Sequence, residues 1–302
     1  MAETRYTDLQ ASGELRRRAD EALAGLRACR VCPHECQVDR LAAGRGICRA
    51  GAAARVASFG PHIGEERPLV GSRGSGTVFF AHCNLHCVFC QNYDISHLGN
   101  GAELNAREIA DAFLHIESLG CENLNVVSPT HFTPQILDAL DAAAADGLSL
   151  PLVWNCGGYE SLETLRLLDG VVDIYMPDAK YADADTAQRL SGASDYPERN
   201  RDALREMHRQ VGELEVDSRG VATRGLLVRH LVLPEGLSGT CEVMRFIAEE
   251  LSPNTYVNVM AQYRPCFHAD EFPEIDRRLT AEEYAEAVRA ARSAGLTRLD
   301  SM

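Results

Sequence analysis

Three cysteines, Cys83, Cys87 and Cys90, stand at the spacing C-x3-C-x2-C within the stretch GTVFFAHCNLHCVFCQNY, residues 76–93. An apolar run from Thr77 to Ala81 precedes them. Its composition is that of a strand, so the three thiols are delivered into one loop at a strand end. A [4Fe–4S] cube takes four thiolates, one per iron. Three thiolates from one short loop hold three irons and leave the fourth open to a chelating ligand. The competing chemistry is a structural zinc site, which wants four ligands. His82 or His86 is the available fourth.

A second thiol group lies upstream in CRVCPHECQVDRLAAGRGIC, where Cys29, Cys32, Cys36 and Cys48 are separated by two, three and eleven residues. Gly44 and Gly46 turn the chain before the last of them. Four cysteines in so short a segment suit a tetrathiolate metal site. Zinc and a second iron–sulfur cluster both fit this spacing, and plain buried thiols are the bland alternative. The third chemical signal is a lone lysine. Arginine supplies 29 of the 30 basic residues, and the exception is Lys180. A lysine is a compact point charge with a tunable pKa, which an arginine cannot imitate in a tight site.

The elements that must position these groups are legible from periodicity. Residues 8–28 read as an amphipathic helix with Leu15, Ala19, Leu23 and Leu26 on one stripe. From residue 76 onward strands alternate with helices. The strands fall at 76–82, 123–129, 150–155, 171–178, 226–233 and 255–263. Asn105 with Glu108 forms a capping-box pattern, and Thr133-Pro134 opens a helix that Gly147 follows. Further helices fit 160–168, parts of 182–211, 241–250 and a last one from Thr280 and Glu283 to about Ala294. Six βα units with right-handed crossovers predict a partial, open (βα)6 TIM-like barrel. The expected domains are an N-terminal helix with the cysteine-rich extension (1–60), the barrel (61–265) and a C-terminal helical tail (266–302).

Chemistry in parallel α/β barrels sits at the C-terminal strand ends. Those ends read, in order, the cysteine loop, Ser128-Pro129-Thr130-His131, Asn155-Cys156-Gly157-Gly158-Tyr159, Met176-Pro177-Asp178-Ala179-Lys180, Arg229-His230 and Gln262-Tyr263-Arg264-Pro265-Cys266. Polar groups closing six apolar strands look like the rim of one pocket.

Composition narrows the setting. Of 302 residues 45% are hydrophobic, and no run of about eighteen apolar residues predicts a membrane helix. The first ten residues lack an apolar signal core. Eleven cysteines without an export signal point to a reducing cytoplasm. The net charge is −14, although residues 1–60 hold ten Arg against seven acids. Such an acidic body disfavours generic nucleic-acid binding.

The three-cysteine loop resembles that of the radical S-adenosylmethionine (SAM) enzymes. The wider pattern FGPHIGEERPLVGSRGSGTVFF, CQNYDIS, SPTHFTPQI, WNCGGYE, DIYMPDAKY, RHLVLP and NVMAQYRP is similar to the PflX-type branch. That branch is named for its likeness to pyruvate formate-lyase activating enzymes, and the resemblance covers roughly residues 29–265. The segment YMPDAK is similar to the strand-four M-x-D-x-K of those activases. One departure is plain: the GGE-type motif usual at the second strand end is replaced by SPTH.

The resemblance implies that Cys83, Cys87 and Cys90 ligate a [4Fe–4S] cluster whose open iron takes the amino and carboxylate groups of SAM. One electron would then cleave SAM to methionine and a 5′-deoxyadenosyl radical. It also implies that Arg229 meets the SAM carboxylate, with a structural ion pair as its alternative role. Asn155, Asp178, Ser128 and Thr130 would hold the ribose or methionine part, and Lys180 and Asp178 would stand at the reacting end. Phe89 and Asn92 would pack on the cluster and adenine. Cys156 and Cys266 are candidate hydrogen donors, and His131, His230 and His268 candidate acid–bases. The implied partners are an electron donor such as flavodoxin or ferredoxin and a glycyl-radical enzyme. A small molecule or modified peptide is the alternative substrate, and a non-catalytic zinc-binding scaffold the alternative class.

Overall fold

The computed structural model describes residues 4–300. Its centre is a sheet of ten strands. They are β1 (Ala54–His62), β2 (Ser75–Phe80), β3 (Ala102–Leu104), β4 (Leu124–Val127), β5 (Leu152–Cys156), β6 (Ile174–Pro177), β7 (Glu215–Val216), β8 (Ala222–Leu231), β9 (Tyr256–Met260) and β10 (Arg298–Asp300). Seven of them run parallel in the order β10-β9-β8-β6-β5-β4-β2. β1 then adds antiparallel to β2, β3 to β1, and the short β7 lies antiparallel beside β8. The two ends of this order do not pair. The sheet is an open α/β barrel, as its alternating sequence predicts.

Every residue of β5 (LVWNC) and β6 (IYMP) is buried, as parallel strands covered on both faces must be. One face packs Val126, Trp154 and Tyr175 against Phe113, Ile136 and Leu140 of the surrounding helices. The inner face joins Val153, Ile174, Met176 and Leu227 to Leu69. Leu69 belongs to a four-residue helix, Arg67–Val70, that fills the inside of the sheet as a plug. Burying each such side chain is worth roughly 1.5–3 kcal/mol. The layer is therefore a firm floor for whatever stands above it.

Helix ends follow the sequence closely. Ala106–Ser118 and Ala281–Ser293 each begin with a complete capping box, Asn105/Glu108 and Thr280/Glu283. The expected single helix over 8–28 is instead two, Arg5–Ala11 and Glu14–Ala24, followed by a 3-10 turn, Gly25–Ala28. Gly13 breaks it with φ +76°, a left-handed backbone that glycine adopts without steric penalty. The strands β1 and β3 are also additions. In ARVASFGPH a bulge between Val56 and Ser58 interrupts the alternation, and Gly60-Pro61 reads as a turn. The C-terminal tail, expected to be helical, ends in β10, which pairs with β9. Among the described residues no helix is long and apolar enough to cross a membrane.

His230 is fully buried on β8, with Nδ1 2.6 Å from the Ala179 carbonyl and Nε2 2.9 Å from Thr240 Oγ1. A carbonyl only accepts, so Nδ1 carries the proton and Nε2 accepts from Thr240. Burial pushes its pKa down to about 4. The unfolded chain therefore takes up a proton near pH 6.5 that the folded chain refuses until about pH 4. Stability from this group is present at neutral pH and is lost as pH falls through that window. In urea titrations at pH 7 and 4.5, the parent should lose roughly 2–3 kcal/mol more than His230→Gln does.

Candidate active site

Side-chain alternation builds the site directly on the plug layer. Asn155 follows Val153 by two residues on β5, Asp178 follows Met176 at the end of β6, and Arg229 follows Leu227 on β8. Period-two geometry puts each on the inner face, one step nearer the C-terminal end. Above them opens a cavity of about 400 Å³. Cys83, Cys87 and Cys90 line it, with Asn92 and Ser128. Asn155, Cys156, Gly157, Asp178, Lys180 and Arg229 also line it. Five of the six strand ends converge here; the sixth, Gln262–Cys266, does not reach the cavity.

The cysteine loop is held mainly from outside. His86 and Val88 donate their N–H groups to Ser191 and Leu190 carbonyls at 3.1 and 2.9 Å. Each sulfur has a polar partner. Leu85 N–H lies 3.4 Å from Cys83 Sγ, Ser191 Oγ donates to Cys87 Sγ at 3.0 Å, and Ser96 Oγ lies 3.1 Å from Cys90 Sγ. Burial pushes the Cys83 thiol up to about 12, with Cys87 and Cys90 adding to it and Lys180 opposing. Cationic metal is what would draw such buried thiols into the thiolate form. A cube takes one thiolate per iron and leaves the fourth iron open, so three thiols on one cavity fit a cluster, whereas a structural zinc wants a fourth ligand.

Asp178 is the electrostatic centre. Arg229 reaches its Oδ1 with Nε at 2.9 Å and Nη2 at 2.8 Å, and Lys180 Nζ reaches Oδ2 at 2.5 Å. Burial pushes the Asp178 carboxyl up, but Arg229 and Lys180 more than offset this and hold it below the usual range. Behind it the backbone is pinned. Tyr196 OH donates toward the carbonyls of Gly157 and Asp178 and accepts from Lys180 N–H, while Asn200 Nδ2 donates to Gly158 and Asp178 carbonyls. A β-carbon on Gly158, at φ +73°, would stand 2.1 Å from the Asp178 carbonyl oxygen. That position accepts only glycine.

Two acids escaped the sequence reading. Glu65 lines the cavity, and Glu66 accepts from Asn258 Nδ2 at 3.1 Å and approaches Arg229 at 4.0 Å. Burial pushes Glu65 up to about 7, against the pull of Arg229. Their signal was the acid pair in HIGEERPL, just before the plug helix.

Other expected groups lie elsewhere. Thr130 is buried with its hydroxyl on Glu160 Oε1 at 2.5 Å, and Phe89 packs edge-on against Tyr263, 5.7 Å between ring centres. Neither lines the cavity. Cys266 is half-buried outside it, His268 pairs with Glu271 at 2.8 Å, and His131 Nε2 bonds the Ala81 carbonyl at 2.8 Å. In the front group Cys29, Cys32 and Cys48 are buried and Cys36 half-buried. Burial, then neighbouring Cys48, Cys29 and Cys36, push the Cys32 thiol up, so the four lie within reach of each other's charge. A side chain at Gly46 would strike Cys36 Sγ at 2.7 Å.

Removing the shared carboxylate leaves two cations facing each other in a mostly buried site. With the small residual exposure of this triad, Asp178→Asn should lower unfolding free energy by about 2–3 kcal/mol in denaturant titrations. Adding Lys180→Met should restore part of that loss.

The model of the radical SAM superfamily matches residues 77–216. An uncharacterized protein of Methanocaldococcus jannaschii, MJ0674, is 36% identical over 271 residues, 87% of this chain and 74% of its own. Among solved structures, Streptococcus suis SuiB bound to its precursor peptide SuiA superposes over 73% of the chain with TM-score 0.49 and 12% identity. HydG, a maturase of the [FeFe]-hydrogenase, does so over 74% with TM-score 0.49 and 14% identity. The chain spans about half the length of these two structures, 47% and 50%. The matched stretch carries the three thiols together with Ser128, Asn155, Asp178 and Lys180 of the same cavity, so residues 77–216 of this chain form a domain of the radical SAM superfamily.

Proposed function

We propose that the protein is an enzyme that reductively cleaves SAM and uses the resulting radical on a substrate at the barrel mouth. One observation carries this reading: the three cluster thiols and the Asp178–Arg229–Lys180 network line the same cavity. With a [4Fe–4S] cluster and SAM bound, the chemistry supplied is one-electron cleavage of the S–C5′ bond, giving methionine and a 5′-deoxyadenosyl radical.

The chain's own residues hold and orient. Arg229 turns Nε and Nη2 to Asp178 and would meet the SAM carboxylate with its remaining N–H groups. Asn155, Ser128 and Asn92 offer amide and hydroxyl groups to its ribose and methionine ends. Lys180, fixed on Asp178, keeps a positive charge beside the anionic cluster loop. A cavity of about 400 Å³ lies near the lower end of small-ligand pockets. It would hold SAM, and the substrate would meet it from the barrel mouth. The loop of a glycyl-radical partner protein would arrive that way, in keeping with the YMPDAK likeness to the activases. Hydrogen abstraction from a small molecule or modified peptide is the second reading, favoured by SPTH in place of the GGE-type motif. A flavodoxin or ferredoxin would supply the electron.

Anaerobic reconstitution followed by SAM and dithionite tests this. The parent should form 5′-deoxyadenosine, and a Cys83→Ala, Cys87→Ala, Cys90→Ala variant should form none and hold about four fewer irons. Parent protein that holds iron-free zinc after reconstitution would overturn the enzyme reading in favour of a scaffold.

The front thiols Cys29, Cys32, Cys36 and Cys48, buried or half-buried within reach of each other's charge, would hold a second thiophilic metal. Metal analysis of the triple variant should still find metal, about four irons for a cluster or about one zinc for a tetrathiolate site. Further Cys32→Ser and Cys48→Ser changes should remove it.

A further inference from the structure

The two cysteine segments are bonded to each other by a histidine from each. His34, between Cys32 and Cys36, places Nε2 2.8 Å from the Asn84 carbonyl of the cluster loop. His86, between Cys83 and Cys87, places Nε2 3.0 Å from the Ile47 carbonyl, next to Cys48. Carbonyls only accept, so both rings carry their proton on Nε2.

The His34 contact has a consequence for the sulfur beside it. A trans peptide is planar and points its C=O and N–H in opposite directions. Holding the Asn84 oxygen outward therefore turns the next N–H, that of Leu85, inward, and it lies 3.4 Å from Cys83 Sγ. Asn84 is fixed on its other side as well, its Nδ2 donating to the Tyr159 carbonyl at 2.6 Å. His34 in turn rests edge-on against the Tyr159 ring, 5.2 Å between centres. Hydrogen bonds to cluster sulfurs are among the levers that set reduction potential. A donor on a ligating sulfur stabilises the negative charge added on reduction, so it raises the potential.

We infer that His34 is a positioning residue for the radical cluster: from the front cysteine segment it holds the Asn84–Leu85 peptide so that Leu85 N–H bonds Cys83 sulfur, raising the cluster's reduction potential. This rests on the radical SAM reading of Cys83, Cys87 and Cys90. It assigns to the front segment a role in the cluster site whatever its own thiols bind.

The test is a redox titration of the anaerobically reconstituted protein, followed by electron paramagnetic resonance, with iron counted in every sample. His34→Ala should keep the cluster but titrate at a lower potential than the parent. His34→Gln, whose amide nitrogen reaches where Nε2 stood, should return to the parent value. Loss of cluster iron in His34→Ala but not in His34→Gln would support the same positioning role. An unchanged potential in His34→Ala, or an equal shift or equal iron loss in both variants, would overturn the inference alone. A parent that assembles no cluster would overturn the functional reading, and this inference with it.

Discussion

Asp178 is a carboxylate with little access to water, and two cations from two different chain positions must neutralise it. Arg229 comes from β8, the next strand in the sheet, and Lys180 from two residues further along the same chain. Taking one charge out of water costs several kcal/mol unless partners and hydrogen bonds replace the solvent. The partners therefore fix where the ends of β6 and β8 stand, and the Ala179 N–H to Arg229 carbonyl bond at 2.8 Å records that pinning. Gly158, Tyr196 and Asn200 then follow as the groups that let the β5 loop lie against the Asp178 backbone. The same constraint places a positive charge beside the cysteine loop: Lys180 lines one cavity with Cys83 and Cys87 and opposes the rise that burial imposes on both thiols. Strand order, pocket chemistry and cluster environment meet at one carboxylate.

Much of this was legible in the sequence because it was carried by local pattern. The β/α alternation, the two capping boxes and the C-x3-C-x2-C spacing are each statements about near neighbours. Polar residues closing apolar strands converge by topology alone, so Ser128, Asn155, Asp178, Lys180 and Arg229 could be named before their contacts were visible. The rarity of lysine marked Lys180 for the same reason that its short, compact charge suits a position two residues from its partner.

What escaped was non-local. Glu65 reaches the cavity and Glu66 approaches Arg229 from just before a plug helix whose place inside the sheet depends on Leu69 meeting β5, β6 and β8. Nothing in the spacing of HIGEERPL declares that. Thr130 stands at a strand end as expected, yet it turns to a buried glutamate, since a strand end fixes the backbone and leaves the side chain a choice. β1 was hidden by a bulge and a Gly-Pro pair, and β10 by its length of three residues. The histidine contacts between the two cysteine segments were likewise invisible: His34 and Asn84 are fifty residues apart.

We propose that SAM binds in the cavity shared by the three thiols and the Asp178 network, against the open iron of the cluster. The most direct measurement is electron paramagnetic resonance of the reduced, reconstituted cluster recorded before and after SAM is added. Addition of SAM should change the spectrum, and that change should be lost in the Cys83→Ala, Cys87→Ala, Cys90→Ala variant. A reduced four-iron signal that SAM leaves untouched would contradict it, because the ligand would then have no place at the open iron.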